Sequence, residues 1–509
     1  MRICLWHGWL LDGSGSNVNT ARVADVLRRE GHDVLIVCQE RDPERFPFVD
    51  AWATADRTGV SPLKTTGVAP AAGRVVLVRP LIGDLLPVFV IDEYEGFARV
   101  ERFVDLSNAE LATYLERNVA ALSAAVEWHG SEALIAGHAV PGPVVARRAL
   151  GAGRYVAKIH GSDLVYAIDL QERYAELARE GLEGAISVVG PSDDVLARTV
   201  EIVPAIAGRV RKVPPGVEVS RFRPAPRREA LEAVSELLAA DPETSRGRPG
   251  SIDGEVEAAL ARRDGESLEA LAHRYDQAVP DPEAAMRLQA LASYEGPLVG
   301  YFGKLIVQKG VERLIEALAL IGPDVKGLVV GFGLFREWLE ALVTALDRGD
   351  AGATRWLAGS SGMRLELDRQ IASLAGLRDQ VTFTGKLDHR YAPGALAALD
   401  ILVVPSTFPE SFGMVVAEGA AAGALPLVAR HSGLAEAAGA LEAAVGRPSL
   451  FTFEPDDGAT RRLTAGIERI LGLPAEERAE LGATVSGFVA SEWTWERTAN
   501  RLLEAARQR

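Results

Sequence analysis

The chain has 509 residues, enough for about two or three domains each with its own core. Its formal net charge of −15 argues against nucleic acid or an anionic membrane surface as the main partner. No apolar run approaches the roughly 18–20 residues of a transmembrane segment. The first residues, MRICLWHGWLLDG, lack a small-residue cleavage site and read as a strand rather than a signal peptide. Cys4 and Cys38 both lie in apolar runs, as buried thiols in a reducing compartment do. The expectation is a cytoplasmic protein; its oligomeric state stays open, a homo-oligomer included.

Arg2–Trp6 is expected as the first strand. A glycine-rich segment, His7–Asn19, leads to a helix over Thr20–Glu30 closed by Gly31, and Val34–Cys38 forms the second strand. Gly13 and Gly15 lack the third glycine of the dinucleotide fingerprint, so an NAD site is the weakest reading. Strands are expected over Val75–Val78, Val88–Ile91 and Ala133–Ala136, with a helix over Leu106–Ala125. His138 falls at the carboxyl end of the last of these strands. Tyr155–Ile159 is a strand running into His160-Gly161-Ser162-Asp163, where Asp163 suits the cap of a helix from Leu164. Ile186–Gly190 is a further strand, with a helix from Asp193.

From Ala225 to about Glu295 the chain is charged, alanine-rich and helix-prone, with a soft stretch at Asp241–Gly254. It reads first as a solvated helical insertion (225–296), and otherwise as a dimer contact or a lid. It separates a domain over 1–224 from one over 297–490. The latter opens with the strand Leu298–Phe302, then Gly303-Lys304, Lys309-Gly310 and a helix from Val311. A glycine turn with two lysines at a strand's carboxyl end suits a diphosphate. Gly327–Val330 leads into Gly331-Phe332-Gly333, and Leu334–Leu346 is helical. A looser second insertion begins at Asp347 and extends over about 347–377. The strand Gln380–Thr384 precedes Gly385-Lys386-Leu387-Asp388, and a helix covers Gly394–Leu399.

The stretch Asp400–Gly433 organises the second half. Ile401–Val404 is a fully apolar strand, Pro405–Ser411 a loop, and a helix is expected from about Phe412 to Gly423, capped by Glu410 or Ser411. Leu425–Ala429 is the next strand. Free amides near Phe412, Gly413 and Met414 favour an anion. Glu410 and Glu418, seven residues between them, can reach one side of the loop. Taken alone, they could equally be a cap and a surface charge.

The run Glu410-Ser-Phe-Gly-Met-Val-Val-Ala-Glu418 resembles the Glu-x7-Glu motif of retaining glycosyltransferases of the GT-B fold, family 4 (glycosyltransferases group 1). The resemblance covers about 1–224 and 297–505. It implies an α/β protein of two Rossmann-like domains facing each other across a cleft, with a terminal helix at about 491–509 returning to the first. It also implies a nucleotide-sugar donor and a hydroxyl acceptor as partners. On the donor side, Glu410 would hold the sugar hydroxyls and Glu418 the ribose. Ser411, Phe412, Gly413, Met414 and Val415 would meet sugar and diphosphate. Gly303, Lys304 and Lys309 would meet the diphosphate, and Gly15 and Gly333 would edge the site. Lys386 and Leu387 would meet the base through their backbone. His138 would lie near the donor sugar; His160 and Asp163 would serve the acceptor side. His138, Lys304, Lys309 and Glu410 form the expected catalytic set. Lys304 stands where the family usually has Arg, and Pro215 and Glu218 depart from the family's Asn-Gly-Val-Asp pattern. No Asp-x-Asp motif stands at a strand end, so no metal and no cofactor are expected. A UDP-sugar is favoured, with GDP- and ADP-sugars open. A nucleotide-sugar epimerase, a glycosyl phosphorylase and a noncatalytic nucleotide-sugar-binding protein are the alternatives on the same fold.

Overall fold

The computed structural model describes residues 1–67, 72–91, 96–367 and 376–507. Two compact units emerge: Met1–Gly216 with Trp493–Arg509, and Val217–Glu492.

The first unit is built on a sheet with strand order Val210–Lys212, Ser187–Gly190, Val156–Lys158, Ala133–Gly137, Arg2–Trp6, Asp33–Val37, Arg74–Pro80, Ala51–Asp56, Gly59–Val60. All neighbours are parallel up to Ala51–Asp56, which pairs antiparallel with Gly59–Val60 and with Lys64–Thr65. The central strands are apolar throughout because both faces are covered: Ile3, Cys4, Val34–Val37 and Val188 are all buried. Strand order reverses between Arg2–Trp6 and Ala133–Gly137, and an open parallel sheet binds ligands beyond the carboxyl ends at such a point. The expected strand Val88–Ile91 lies instead at Leu85–Val88, paired with Arg99–Arg102; Val90 and Ile91 are exposed and unsuited to a buried strand. The expected helix Thr20–Glu30 starts earlier, at Gly15, because Ser14 caps it by accepting from the Asn17 amide. The thiols of Cys4 and Cys38 are buried and free. The helix Trp495–Arg507 closes this unit. Thr498 Oγ1 donates to the Pro214 carbonyl at 2.9 Å, and Trp493 and Trp495 are buried.

The second unit contains a six-stranded parallel sheet of order Val381–Phe383, Lys326–Phe332, Leu298–Lys304, Ile401–Val404, Leu425–Ala429, Thr452–Phe453. In chain order this is 3-2-1-4-5-6, the doubly wound arrangement, with its switch point between Leu298–Lys304 and Ile401–Val404. The segment expected to be loose from Asp347 carries the helix Ala351–Ser361, capped by Asp350 accepting from the Ala353 amide; residues 368–375 of the same expected insertion lie outside those described.

The helical stretch after Ala225 is not a solvated decoration. Arg227–Ala239, Asp253–Arg262, Gly265–Ala272 and Ala284–Ala292 are part of the second unit and bury Leu231, Val234, Leu238, Leu260, Leu268 and Leu288. Arg336 Nη1 and Nη2 donate to the Asp281 carboxylate at 3.0 and 2.8 Å, and Arg248 binds Glu337. Two charges of the stretch, Arg248 and Asp281, are turned inward and paired, and they tie it to the helix that carries Arg336 and Glu337. No helix among the described residues is long and apolar enough to cross a membrane.

Candidate active site

Two clusters of functional side chains form, one at the switch point of each sheet. In the second unit, Lys304 ends the strand Leu298–Lys304, and a short turn carries Lys309 to Gly310. Gly310 has φ +65°, and a Cβ there would lie 2.4 Å from the Pro405 carbonyl. The lysine turn therefore packs directly on the loop after Ile401–Val404. The Thr407 amide, donating to the Gln308 carbonyl at 2.9 Å, ties the two loops together. This brings Lys309 Nζ onto Glu410 Oε1, which also accepts from Ser406 Oγ at 2.7 Å. Both charged side chains remain partly open to solvent, 28% for Lys309 and 22% for Glu410.

The carboxylate of Glu410 is thus taken up by Lys309 and Ser406, and neither it nor Ser411 caps the following helix. That helix runs Met414–Ala421, two residues later than expected, and Gly413 takes the cap position at φ +82°. A Cβ on Gly413 would come 2.5 Å from Leu434 Cδ2. Gly413→Ala is expected to lose about 1–3 kcal/mol of stability, from the left-handed backbone and the overlap together. A urea titration reads this, and a change below about 0.5 kcal/mol would contradict the strain argument. The Met414 and Val415 amides open the helix and have no hydrogen-bond partner among the described residues, so they remain available to an anion. Phe412 is buried, leaving only its backbone for a ligand.

His431 and Ser432 support this loop. His431 Nε2 lies 2.7 Å from the Ser406 carbonyl, Ser432 Oγ accepts from the Glu410 amide at 2.9 Å, and the Gly433 amide donates to the Glu410 carbonyl at 2.9 Å. Sequence reading passed over all three, although their His-Ser-Gly run directly follows a strand's carboxyl end. Glu418 does not share Glu410's partners; it lies 3.4 Å from His389 Nε2. Phe332 gathers the remaining donor-side candidates: Lys304 Nζ and Lys386 Nζ lie 5.7 and 4.9 Å from its ring centre. Gly333 sits against Leu305, with a hypothetical Cβ 2.4 Å from its carbonyl; Gly303 precedes Lys304; Leu387 is buried, so its backbone is what it can offer.

In the first unit His7, His138, Lys158 and His160 stand at the carboxyl ends of Arg2–Trp6, Ala133–Gly137 and Val156–Lys158. The His138 ring packs 4.4 Å from Trp9, 4.6 Å from His160 and 5.3 Å from Phe89, centre to centre, and its backbone is left-handed at φ +69°. His138 Nδ1 and His160 Nε2 are buried without a partner among the described residues. Unpaired buried polar atoms are uncommon and mark where a substrate group can complete the bonding. Asp163 is fully buried and caps nothing: the turn Leu164–Ile168 is π-helical, and the Asp163 carboxylate accepts instead from the Ala139 and Gly161 amides. It thereby links the His138 and His160 loops. Burial raises its pKa to about 6. Gly15 is exposed within the first turn of its helix rather than in a loop.

His7 Nε2 bonds Asn17 Oδ1 at 2.8 Å and Lys158 Nζ bonds Asn19 Oδ1. Both were missed; a lysine inside the apolar run Tyr155–Ile159 was the available signal. Burial lowers Lys158 to about 7 and His7 to about 4, and holds His138 and His160 well below 6.5. All three imidazoles are neutral at pH 7. His7 binds its proton more weakly folded than unfolded, so its contribution to stability is complete above about pH 6.5 and is lost as pH falls toward 4. Between pH 7 and 5 this amounts to about 2 kcal/mol. The expected result is a pH-dependent loss in urea unfolding that shrinks by about that amount in His7→Gln. An unchanged slope would refute the assignment.

Among the described residues no group of three or more His, Cys, Asp or Glu side chains is arranged to hold a metal.

The fold is that of the GT-B glycosyltransferases. Across the whole chain it matches sucrose-phosphate synthase from Thermosynechococcus elongatus (TM-score 0.59, 19% identity, 98% of that chain). It similarly matches Anabaena HepE in complex with UDP and glucose (TM-score 0.57, 16% identity, 98% of that chain). Residues 282–484 match the family described as Glycosyl transferases group 1, so this segment carries the glycosyltransferase signature. It contains Lys304, Lys309, Glu410 and Glu418. Curated relatives include 2-deoxystreptamine glucosyltransferase of Streptomyces kanamyceticus, 29% identical over 41% of this chain and 46% of the relative. Another is a GDP-mannose-dependent monoacylated alpha-(1-6)-phosphatidylinositol monomannoside mannosyltransferase of Corynebacterium glutamicum, 25% identical over 45% of this chain and 52% of the relative. The chain spans about half the length of these relatives.

Proposed function

We propose that the protein is a retaining, metal-independent hexosyltransferase of family 4, moving a hexose from a nucleoside-diphosphate sugar to an acceptor hydroxyl. The observation that carries this reading is the Lys309–Glu410 pair at the switch point of the second unit's sheet, beside the open amides of Met414 and Val415. Phosphate oxygens and sugar hydroxyls need this combination of a cation, free N–H groups and a carboxylate acceptor. Lys304, Lys309 and the helix start stabilise the negative charge that develops on the leaving diphosphate. Glu410 accepts from sugar hydroxyls and Glu418 from the ribose, while the Lys386 and Leu387 backbone meets the base. His138 and His160 offer their unpaired nitrogens to the sugar and the acceptor.

Glu410 is already engaged by Lys309 and Ser406, which makes it a poor covalent nucleophile. In the proposed step the anomeric carbon–phosphate oxygen bond breaks as the acceptor oxygen bonds to the same face of that carbon. The acceptor's proton passes to the leaving diphosphate. The test incubates the protein with UDP-, GDP- and ADP-hexoses and an acceptor panel, with and without chelator. Released nucleoside diphosphate and the anomeric configuration of the product are followed by NMR. Release with retained configuration, insensitive to chelator, is expected. Donor binding without turnover across the panel would make the protein a nucleotide-sugar binder instead.

A further inference from the structure

We propose that Tyr275, Asp276 and Gln277 form the wall that selects the base of the nucleotide donor, and that this wall takes guanine ahead of uracil or adenine. The inference rests on the reading of the protein as a nucleotide-sugar-dependent transferase. These three residues precede the family match, which begins at residue 282, and belong to the helical stretch that at first looks like decoration. They line a shallow surface cleft together with Phe332, Gly331, Gly333 and Gly385, and with Arg336 and Asp281, whose charges are spent on each other and, for Arg336, on Glu340. Gly331 is the penultimate residue of the strand Lys326–Phe332, and Gly333 and Gly385 follow the carboxyl ends of that strand and its parallel neighbour Val381–Phe383, where an open sheet accepts a ligand. A Cβ on Gly331 would lie 2.1 Å from the Gly303 carbonyl, so apart from the Phe332 ring this side of the cleft is backbone, and polar side-chain recognition comes from the opposite wall. Lys304 and Lys386 beside Phe332 set positive charge at the same edge, where a diphosphate attached to the base would lie.

The wall is anchored in advance. Tyr275 Oη donates to Glu337 at 2.8 Å, Pro280 bridges to Gly385, and the Asp281 amide donates to the Thr384 carbonyl at 2.8 Å. Its chemistry is one-sided. Gln277 commits one N–H of its amide to the Ala272 carbonyl at 2.6 Å, which fixes the group and keeps its oxygen to accept. The Asp276 carboxylate is fixed by the Ala278 amide at 2.8 Å and by Arg246 at 3.2 Å, and it keeps lone pairs for further donors. The wall therefore presents oxygens. Guanine offers N1–H and N2–H2 side by side, a pair that a carboxylate accepts together. Uracil offers a single N–H flanked by two carbonyls, which an oxygen-lined wall repels. This reverses the order in which the sequence ranks the donors, with a UDP-sugar first.

The test is calorimetric titration of the full-length protein with GDP, ADP and UDP. GDP is expected to bind about tenfold more tightly than the other two. Asp276→Asn is expected to remove most of that margin while leaving ADP and UDP within about twofold, with Gln277→Leu acting in the same direction. Unchanged melting temperatures of the variants show that the fold is intact. GDP binding no tighter than UDP, or equal losses for all three nucleotides in the variants, overturns the inference while leaving the transferase reading in place. Binding of none of the three to the unaltered protein overturns that reading, and the inference with it.

Discussion

Lys309→Ala lowers the rate of sugar transfer by about a hundred- to a thousandfold, as expected when one preorganised charge is removed from a developing oxyanion. The variant also leaves Glu410 uncompensated beside the leaving diphosphate, which adds repulsion to the lost attraction. Folding changes little. The pair is partly solvated on both sides, 28% and 22% exposed, and such pairs contribute at most about 1 kcal/mol. Nucleoside diphosphate release and thermal unfolding, measured on the same preparation, separate the two effects. Lys309→Arg keeps the charge and recovers part of the rate. A rate loss below tenfold in Lys309→Ala would remove this lysine from the catalytic set.

Glu337→Ala lowers stability by about 3–5 kcal/mol, the range for breaking a buried ion pair from one side. Arg248 is 1% exposed and Glu337 0%, and the guanidinium reaches the carboxylate through Nε and Nη2, both at 3.0 Å. Burial alone pushes the Arg248 guanidinium down, but the carboxylates of Glu340, Glu337 and Asp253 more than reverse this and hold it above its ordinary value. Without Glu337 the charge stays buried, with Asp253 its remaining close partner at 2.7 Å, and Tyr275 loses the acceptor for its hydroxyl. Urea unfolding measures the loss, and limited proteolysis is expected to cut first within 241–281. The double variant Arg248→Met with Glu337→Leu removes both charges and is expected to recover most of the stability. A single-variant loss under 1 kcal/mol would mean that the pair does not hold the helical stretch.

Sequence pattern is most legible where periodicity and burial coincide. Ile401–Val404 and Leu425–Ala429 are read from their apolar runs with both bounds as observed, because a parallel strand covered on both faces leaves no polar position to blur its ends. Lys309 and Glu410 are likewise visible as charges at strand ends, though their pairing across 101 positions is not. Helix starts set by glycine are read less well. Gly413 begins its helix through a left-handed backbone rather than through a side-chain cap, and such a start carries no capping residue to recognise. The helical stretch after Ala225 was misread for a different reason. Its inward charges find partners as far as 89 residues away, as Arg248 does in Glu337, and composition cannot distinguish a paired buried charge from a solvated one. The histidine cluster of the first unit is gathered from three separate strand ends, so no local motif announces it.

The helix Trp495–Arg507 also imposes an order of events on biosynthesis. Gly216 packs so closely on the Thr494–Trp495 backbone that a Cβ would lie 2.3 Å from the Trp495 amide nitrogen. The first unit to be translated therefore cannot be finished when residue 216 leaves the ribosome. It waits, with the surface meant for this helix uncovered, until all of Val217–Glu492 has been made. Vectorial folding, in which each domain closes before the next appears, is unavailable to this chain. The second unit, continuous in sequence, is the one able to fold first, and the amino-terminal unit is completed last.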